Sequence, residues 1–270
     1  MLSEALAGAL GNIVATLFLF VSIYIYVSLI RQISAQTSTS TAAPTRTFEA
    51  AEATVAAVLV LLFVRGIAAS SARPPANLTN RELMAGFFLV LALVMFVAIF
   101  LKVRGFSLTA LAGFSRINFS RAIATGVILL LFAYPLLLSC EALTQHFFGS
   151  GSSKQEIVEL FNSSRTIDQR VLVIILAVAI APITEEFLFR FFLYGVFKRY
   201  FGRFLGLIMN ASLFAAVHTH LPSFVPLFVL GSFLTIAYEW SGSILVSMTM
   251  HSLFNSVSLV FLAFPEIFQQ

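Results

Sequence analysis

The sequence has few charges, one cysteine and one tryptophan. Only 10% of its 270 residues are charged, whereas soluble globular proteins carry roughly 25%. The single cysteine, Cys140, excludes an internal disulfide and a cysteine-rich metal site. No basic residue precedes the first apolar run, which predicts a retained helix rather than a cleaved signal peptide. The net charge of +4 comes from residues that lie mostly between apolar runs. This distribution indicates contact with lipid headgroups and not with nucleic acid.

Apolar residues dominate what is present. They make up 59% of the chain, 30 residues are phenylalanine, and the mean hydropathy is +0.97. Such a chain is typical of integral membrane proteins. We expect an all-α, polytopic membrane protein with about eight membrane-spanning helices. The candidate spans are residues 5–30, 48–69, 83–101, 122–140, 171–197, 204–218, 221–238 and 243–264. An amphipathic surface helix is expected at 152–161, and 1–270 is expected to form one membrane domain in the cell membrane.

The C-terminal apolar runs contain few polar residues, and these recur at the spacing of one helical turn. A charge inside the bilayer costs on the order of 3 kcal/mol, so we expect these side chains to face partners or a water-filled cavity. Residues four apart share a helix face, and the order carboxylate then arginine favours an ion pair. The pairs are Glu186 and Arg190, with Glu185 about 100° further around the helix, then Phe214 and His218, then His251 and Asn255.

These residue types are suited to hydrolysis. A carboxylate and an imidazole can act as general base and then general acid on a water molecule, while a second imidazole and a carboxamide can stabilise an oxyanion. The same residues leave a second interpretation open, because Glu185, His218 and His251 are also a plausible set of zinc ligands.

The three pairs together resemble the motifs of a known family. "EEFLFR", "FAAVH" and "HSLFN" are similar to the Glu-Glu-x-x-x-Arg, Phe-x-x-x-His and His-x-x-x-Asn motifs of the CAAX-protease and bacteriocin-processing (Abi, type II CAAX prenyl endopeptidase) family of intramembrane proteases. The resemblance covers about residues 171–264, which would form the catalytic core behind N-terminal helices in 1–140.

The resemblance implies roles for the motif residues. Glu185 and His218 would activate the water, and His251 and Asn255 would complete the site. Glu186, Arg190 and Phe214 would support the geometry or meet the substrate, a membrane-associated peptide with a prenylated CAAX end or a leader sequence. The absence of a His-Glu-x-x-His motif favours a glutamate mechanism without a metal or other cofactor.

Several alternatives stay open at this point. Glu186 and Arg190 are equally well explained as a structural ion pair. We interpret Asn210 as a helix–helix hydrogen-bonding residue, His220 as an interfacial residue and Glu239 as a carboxylate at headgroup level. A proton-coupled transporter would also place Glu, His and Arg inside the membrane, but it predicts polar residues along several helices rather than in three motifs.

Overall fold

A computed structural model describes residues 2–35, 47–71, 80–148 and 167–264. The amphipathic helix expected at 152–161 lies outside these residues. Within them the regular structure is entirely helical, which confirms the predicted all-α fold. The helices are α1 (Leu2–Ala35), α2 (Ala50–Ser71), α3 (Asn80–Val103), α4 (Leu108–Ala112), α5 (Phe119–Phe148), α6 (Ile167–Val217), α7 (Phe224–Ser241) and α8 (Ile244–Ala263).

Seven of the described helices are long and apolar enough to cross a membrane, and one of them, α6, has 51 residues. At about 1.5 Å per residue a straight helix of this length would measure more than twice the thickness of the hydrocarbon core. The helix is broken at Gly202, whose backbone is not helical (φ 79°, ψ 171°). Beyond the break, Gly206 lies against the backbone of Phe197 and Lys198. The chain therefore folds back at Gly202, and α6 supplies the two spans predicted at 171–197 and 204–218.

Ion pairs and a hydrogen bond connect this turn of α6 to α7 and α1. Lys198 Nζ and Arg203 Nε lie 2.8 and 3.0 Å from the Glu239 carboxylate of α7, and Arg203 also donates to the carbonyl of Ile33 at the end of α1. Only 10% of the Glu239 side chain is exposed. The sequence predicts a carboxylate at headgroup level for Glu239, whereas the structure shows that it joins both arms of the α6 turn to α7.

The helix ends near this turn form one basic face of the protein. The Arg104 side chain at the end of α3 reaches the Glu52 carboxylate of α2 at 2.8 Å, and Trp240 Nε1 donates to Gln32 Oε1 of α1. The basic residues at or near this face are Arg31, Lys102, Arg104, Arg116, Arg121, Lys198, Arg199 and Arg203. By the positive-inside rule this face is expected to be cytoplasmic, with the start of α1 on the other side.

Helix α5 packs against α1, α7 and α8, and so connects the N-terminal helices to those that carry the motifs. The Tyr26 hydroxyl of α1 donates to the Leu129 carbonyl of α5 at 2.9 Å in the buried interior. On the other side, the ring of Phe63 in α2 stacks on Phe189 of α6 with their centroids 5.6 Å apart. Helices of the first half thus support α6 and α8 from both sides.

The conformation of Gly202 leads to a stability prediction. A φ of 79° with a ψ of 171° lies in a backbone region that is almost restricted to glycine, and another residue there costs about 1–3 kcal/mol. We therefore expect Gly202→Ala to lower the free energy of unfolding by about that amount, measured by thermal unfolding in detergent.

The matched control is Gly66→Ala in α2, where a Cβ would meet open space. An alanine inside a helix stabilises it by roughly 0.5–1 kcal/mol relative to glycine, so this variant should be as stable as the wild type or more so. Equal stability of Gly202→Ala and Gly66→Ala would contradict the prediction that an alanine at position 202 strains the backbone.

Candidate active site

The motif "APITEEFLFR" lies in the first arm of α6, between two widened turns. The segments Leu176–Ile180 and Phe187–Leu193 are π-helical, and the α-helical turn Ala181–Glu186 separates them. Wide turns of this kind occur frequently at functional sites, since they change which side chains face a neighbouring helix. Here they flank both glutamates of the motif, and Thr184 in the same turn donates to the Ile180 carbonyl at 2.9 Å.

The Glu186 carboxylate occupies the centre of the site. Its Oε1 atom lies 2.9 Å from Arg190 Nη1 and 2.9 Å from His251 Nδ1. The side chains of Glu186 and Arg190 are fully buried. The first and third motifs are therefore joined by one carboxylate oxygen. The pair Glu186–Arg190 forms as its spacing predicts, but the contact of Glu186 with His251 could not be derived from spacing along one helix.

Glu185 faces His251 from the other side of the imidazole. Its Oε2 atom lies 3.9 Å from His251 Nε2, and 25% of its side chain is exposed. The same oxygen is buried and has no hydrogen-bond partner within the described residues. The two glutamates therefore have different environments. Glu186 is fully buried and its Oε1 atom is held in an ion pair, while Glu185 is partly exposed and its unpaired Oε2 atom faces an imidazole nitrogen.

The Phe214 ring packs against His218 of its own motif and against side chains of the other two motifs. Its ring centroid lies 4.9 Å from that of His218 and 5.7 Å from that of His251, and the Arg190 guanidinium lies 4.3 Å from it. This arrangement agrees with the interpretation of Phe214 as a packing wall beside His218. In the described part of the chain, His218 is linked to the other motifs through this ring and not by a hydrogen bond to Glu185.

The hydrogen-bond partners of the two histidines indicate their tautomers. His218 Nδ1 lies 2.7 Å from the Phe214 carbonyl, and His251 Nδ1 lies 2.9 Å from a Glu186 carboxylate oxygen. A carbonyl and a carboxylate only accept hydrogen bonds, so Nδ1 carries the proton in both rings. The Nε2 atom of each neutral imidazole is then left to accept a proton or to bind a ligand.

Asn255 is connected to a different part of α6. Its Nδ2 atom donates to the Ala177 carbonyl at 2.8 Å, and Ala177 lies in the π-helical turn that precedes the two glutamates. His251 and Asn255 thus bind α8 to α6 at two points, one turn apart on α8. One of the two N–H groups of the carboxamide is occupied by this bond.

A buried polar chain extends from Arg190 into α7. Arg190 Nη2 lies 3.4 Å from the Gly231 carbonyl, which also accepts from the Thr235 hydroxyl at 2.7 Å. Asn210 Nδ2 in turn donates to Thr235 Oγ1 at 3.2 Å. The sequence predicts a helix–helix hydrogen bond for Asn210, but the parts played by Gly231 and Thr235 were not predicted. Their spacing of four residues in "GSFLT" was the available signal, because a Thr hydroxyl commonly bonds back to the carbonyl one turn earlier.

Two other histidines lie apart from this cluster. His220 Nδ1 lies 2.7 Å from the Ser223 hydroxyl, next to the start of α7. His146 lies in the last turn of α5. Neither residue contacts the motif side chains by a hydrogen bond or ion pair in the described ranges.

A comparison with protein families identifies this region. Residues 167–257 match the family model described as "Type II CAAX prenyl endopeptidase Rce1-like". This region belongs to the Rce1-like family. The resemblance inferred from the three motifs is confirmed, and the match of this region indicates a peptidase of the CAAX type. No curated protein and no solved structure matches the chain.

The alternative zinc ligands are Glu185, His218 and His251. Within the described residues, no group of three or more His, Cys, Asp or Glu side chains is placed to hold one. Glu185 Oε2 lies 3.9 Å from His251 Nε2, whereas His218 packs against the Phe214 ring and has no polar contact with either residue in the described ranges. The three side chains of this alternative are therefore not grouped as a zinc site among the described residues.

The burial of Arg190 leads to a second stability prediction. Replacing one partner of a buried ion pair leaves an uncompensated charge and typically costs about 3–5 kcal/mol. We expect Arg190→Met to lower the free energy of unfolding by about that amount, because the Glu186 carboxylate would lose its cation. The double variant Glu186→Gln, Arg190→Met should recover part of this loss.

Lys198→Met is the matched control for this experiment. Lys198 also pairs with a glutamate, but its side chain is 38% exposed, so we expect a loss of only about 0–1 kcal/mol. Unfolding in bicelles, followed by fluorescence or by steric trapping, measures all three variants. Similar losses of unfolding free energy for Arg190→Met and Lys198→Met would contradict the prediction that the buried ion pair contributes more to stability than the exposed one.

Proposed function

We propose that the protein hydrolyses peptide bonds of membrane-associated substrates, with Glu185 as the general base that activates water. The unpaired Oε2 atom of Glu185, which faces His251 Nε2 at 3.9 Å, carries this proposal. A base needs a free lone pair and access to water. Glu185 combines an unpaired Oε2 atom with a side chain that is 25% exposed. Glu186 lacks access to water, since its side chain is fully buried and its Oε1 atom contacts a cation and an imidazole.

The reaction would begin when Glu185 takes a proton from a water molecule that attacks the scissile carbonyl carbon. The carbonyl π bond then breaks and its electrons move to the oxygen, which becomes the oxyanion of a tetrahedral intermediate. His251, when protonated, and the second N–H of Asn255 are the proposed donors to this oxyanion. The intermediate collapses as the C–N bond breaks, and the proton held by Glu185 passes to the leaving amine.

The remaining motif residues are proposed to position these groups. Glu186 would hold His251 in one tautomer, as a carboxylate does in other carboxylate–imidazole pairs, and Arg190 would keep Glu186 ionised and fixed. His218 is proposed to bind the water or the substrate carbonyl through its free Nε2 atom. Phe214 would orient both imidazoles, because it contacts each of them.

We further propose that 1–270 forms a single membrane domain. The helices of 1–140 would form the scaffold, and 171–264 the catalytic core. The packing of α5 against α7 and α8, and of α2 against α6, supports this division. Substrates with a prenylated CAAX end follow from the family, and leader-type peptides remain the second substrate class that we propose to test.

A mechanism without a metal is proposed over the zinc alternative. The position of His218 supports it, because His218 packs against the Phe214 ring and has no polar contact with Glu185 within the described residues. A transporter is less well supported, because the polar side chains meet at one place instead of lining a path through the described helices.

The direct test is peptide cleavage by purified protein in nanodiscs. We expect Glu185→Gln to lower kcat by on the order of 100-fold or more, since the amide cannot accept the proton. The probes are a farnesylated CAAX peptide, its unprenylated form and a leader-type peptide. Glu141→Gln in α5 is the matched control, because Glu141 bonds to Gln145 on its own helix, and it should cleave like the wild type.

A chelator separates the two mechanisms. The glutamate mechanism predicts that cleavage by wild-type protein survives dialysis against 1,10-phenanthroline. Loss of cleavage that added zinc restores would support the zinc alternative instead. Cleavage by Glu185→Gln at the wild-type rate would refute Glu185 as the base.

A further inference from the structure

The carbonyl oxygen of Ala177 accepts no hydrogen bond from a backbone N–H of α6, because a proline occupies the position of the donor. In an α-helix this carbonyl would accept from the N–H of Ala181, but that N–H donates to Leu176. In the wider π-helical turn the donor would be residue 182, five positions along. Residue 182 is Pro182, which has no N–H. Both possible backbone donors are therefore unavailable to Ala177.

Asn255 supplies the missing donor from another helix. Its Nδ2 atom lies 2.8 Å from the Ala177 oxygen, and Ala177 is only 5% exposed. A buried carbonyl without a partner is costly, and water cannot reach it in a membrane interior. The side-chain amide of α8 thus takes the place of a main-chain N–H of α6.

The same proline explains the shape of this turn. The ring of a proline inside a helix clashes with the carbonyl four residues earlier, which is that of Val178 here. Widening the turn by one residue moves this carbonyl away from the ring. The widened turn comes directly before the Ala181–Glu186 turn, so its geometry sets the direction in which Glu185 leaves the helix.

We propose that Asn255 is a positioning residue for Glu185, and that its bond to Ala177 compensates for the N–H missing at Pro182. This role is separate from the donation to an oxyanion proposed above, because the carboxamide has two N–H groups. Together with the bond between His251 and Glu186, it holds α8 in a fixed axial position along α6. A small shift there would move Glu185 relative to His251 Nε2.

The test is a double-mutant cycle between Asn255 and Pro182. Asn255→Leu keeps the size of the side chain and removes the donor. It should lower the melting temperature by several degrees and reduce kcat on the order of 100-fold, with little change in KM, because the geometry of the base is lost. Pro182→Ala restores an N–H that can reach the Ala177 carbonyl. In the Pro182→Ala background, Asn255→Leu should therefore cost much less of the melting temperature. It should also cost less of kcat, although the part of kcat that comes from the proposed oxyanion donation stays lost in both backgrounds.

Two controls exclude a general effect on stability. Pro135→Ala removes the proline inside α5, a helix that does not carry the Ala177 carbonyl, and it should not reduce the cost of Asn255→Leu. Ser256→Ala removes a hydroxyl that bonds back to Ser252 on α8, and its effect should be the same in the wild-type and Pro182→Ala backgrounds.

The outcomes separate this inference from the proposed function on which its activity measurement rests. Equal losses of melting temperature for Asn255→Leu in both backgrounds would refute the compensation. A recovery of melting temperature without recovery of kcat would refute the positioning of Glu185 through this bond. If Glu185→Gln cleaves like the wild type, the proposed function fails, while the melting temperatures still decide whether Asn255 compensates for Pro182.

Discussion

The structure depends above all on the buried Glu186 carboxylate. One oxygen of this group contacts both Arg190 and His251, so a single charge links α6 to α8 and fixes one imidazole. Arg190 in turn contacts the Gly231 carbonyl of α7 and the ring of Phe214. A charge at this depth is unfavourable unless it is paired. The need to pair it therefore brings α6, α7 and α8 into one arrangement, and the proposed chemistry of Glu185 depends on that arrangement.

A second constraint acts on the backbone. Pro182 removes an N–H and widens a turn of α6, and Gly202 lets the chain reverse at the basic face. Both residues are costly or unusual inside a helix, and both are compensated by contacts from other helices. Asn255 donates a hydrogen bond to the Ala177 carbonyl near Pro182. Glu239 pairs with Lys198 and Arg203 on either side of Gly202. The irregular points of α6 are thus also points at which polar contacts attach it to other helices.

The aromatic residues have a simpler role. Phe214 is fully buried and contacts His218, His251 and Arg190, which makes it the element shared by all three motifs. Gly231 allows this close packing, since a Cβ there would come within 3.0 Å of the Phe214 ring. The second motif therefore reaches the site by packing and not through a polar bond to the glutamates in the described part of the chain. For His218 to take part in the reaction, water or substrate must reach its free Nε2 atom.

The sequence by itself determined the membrane class, the approximate spans, the Glu186–Arg190 pair and the family. These follow from hydropathy and from the spacing of residues on one helix, which the geometry of the α-helix defines. Only the tertiary structure decided that Glu186 and not Glu185 bonds to His251, that Asn255 binds Ala177, and that Thr235 and Gly231 extend the polar chain. These contacts depend on the rotation and height of one helix against another. Spacing within a single helix carries no information about either, because packing and the pairing of buried polar groups set them.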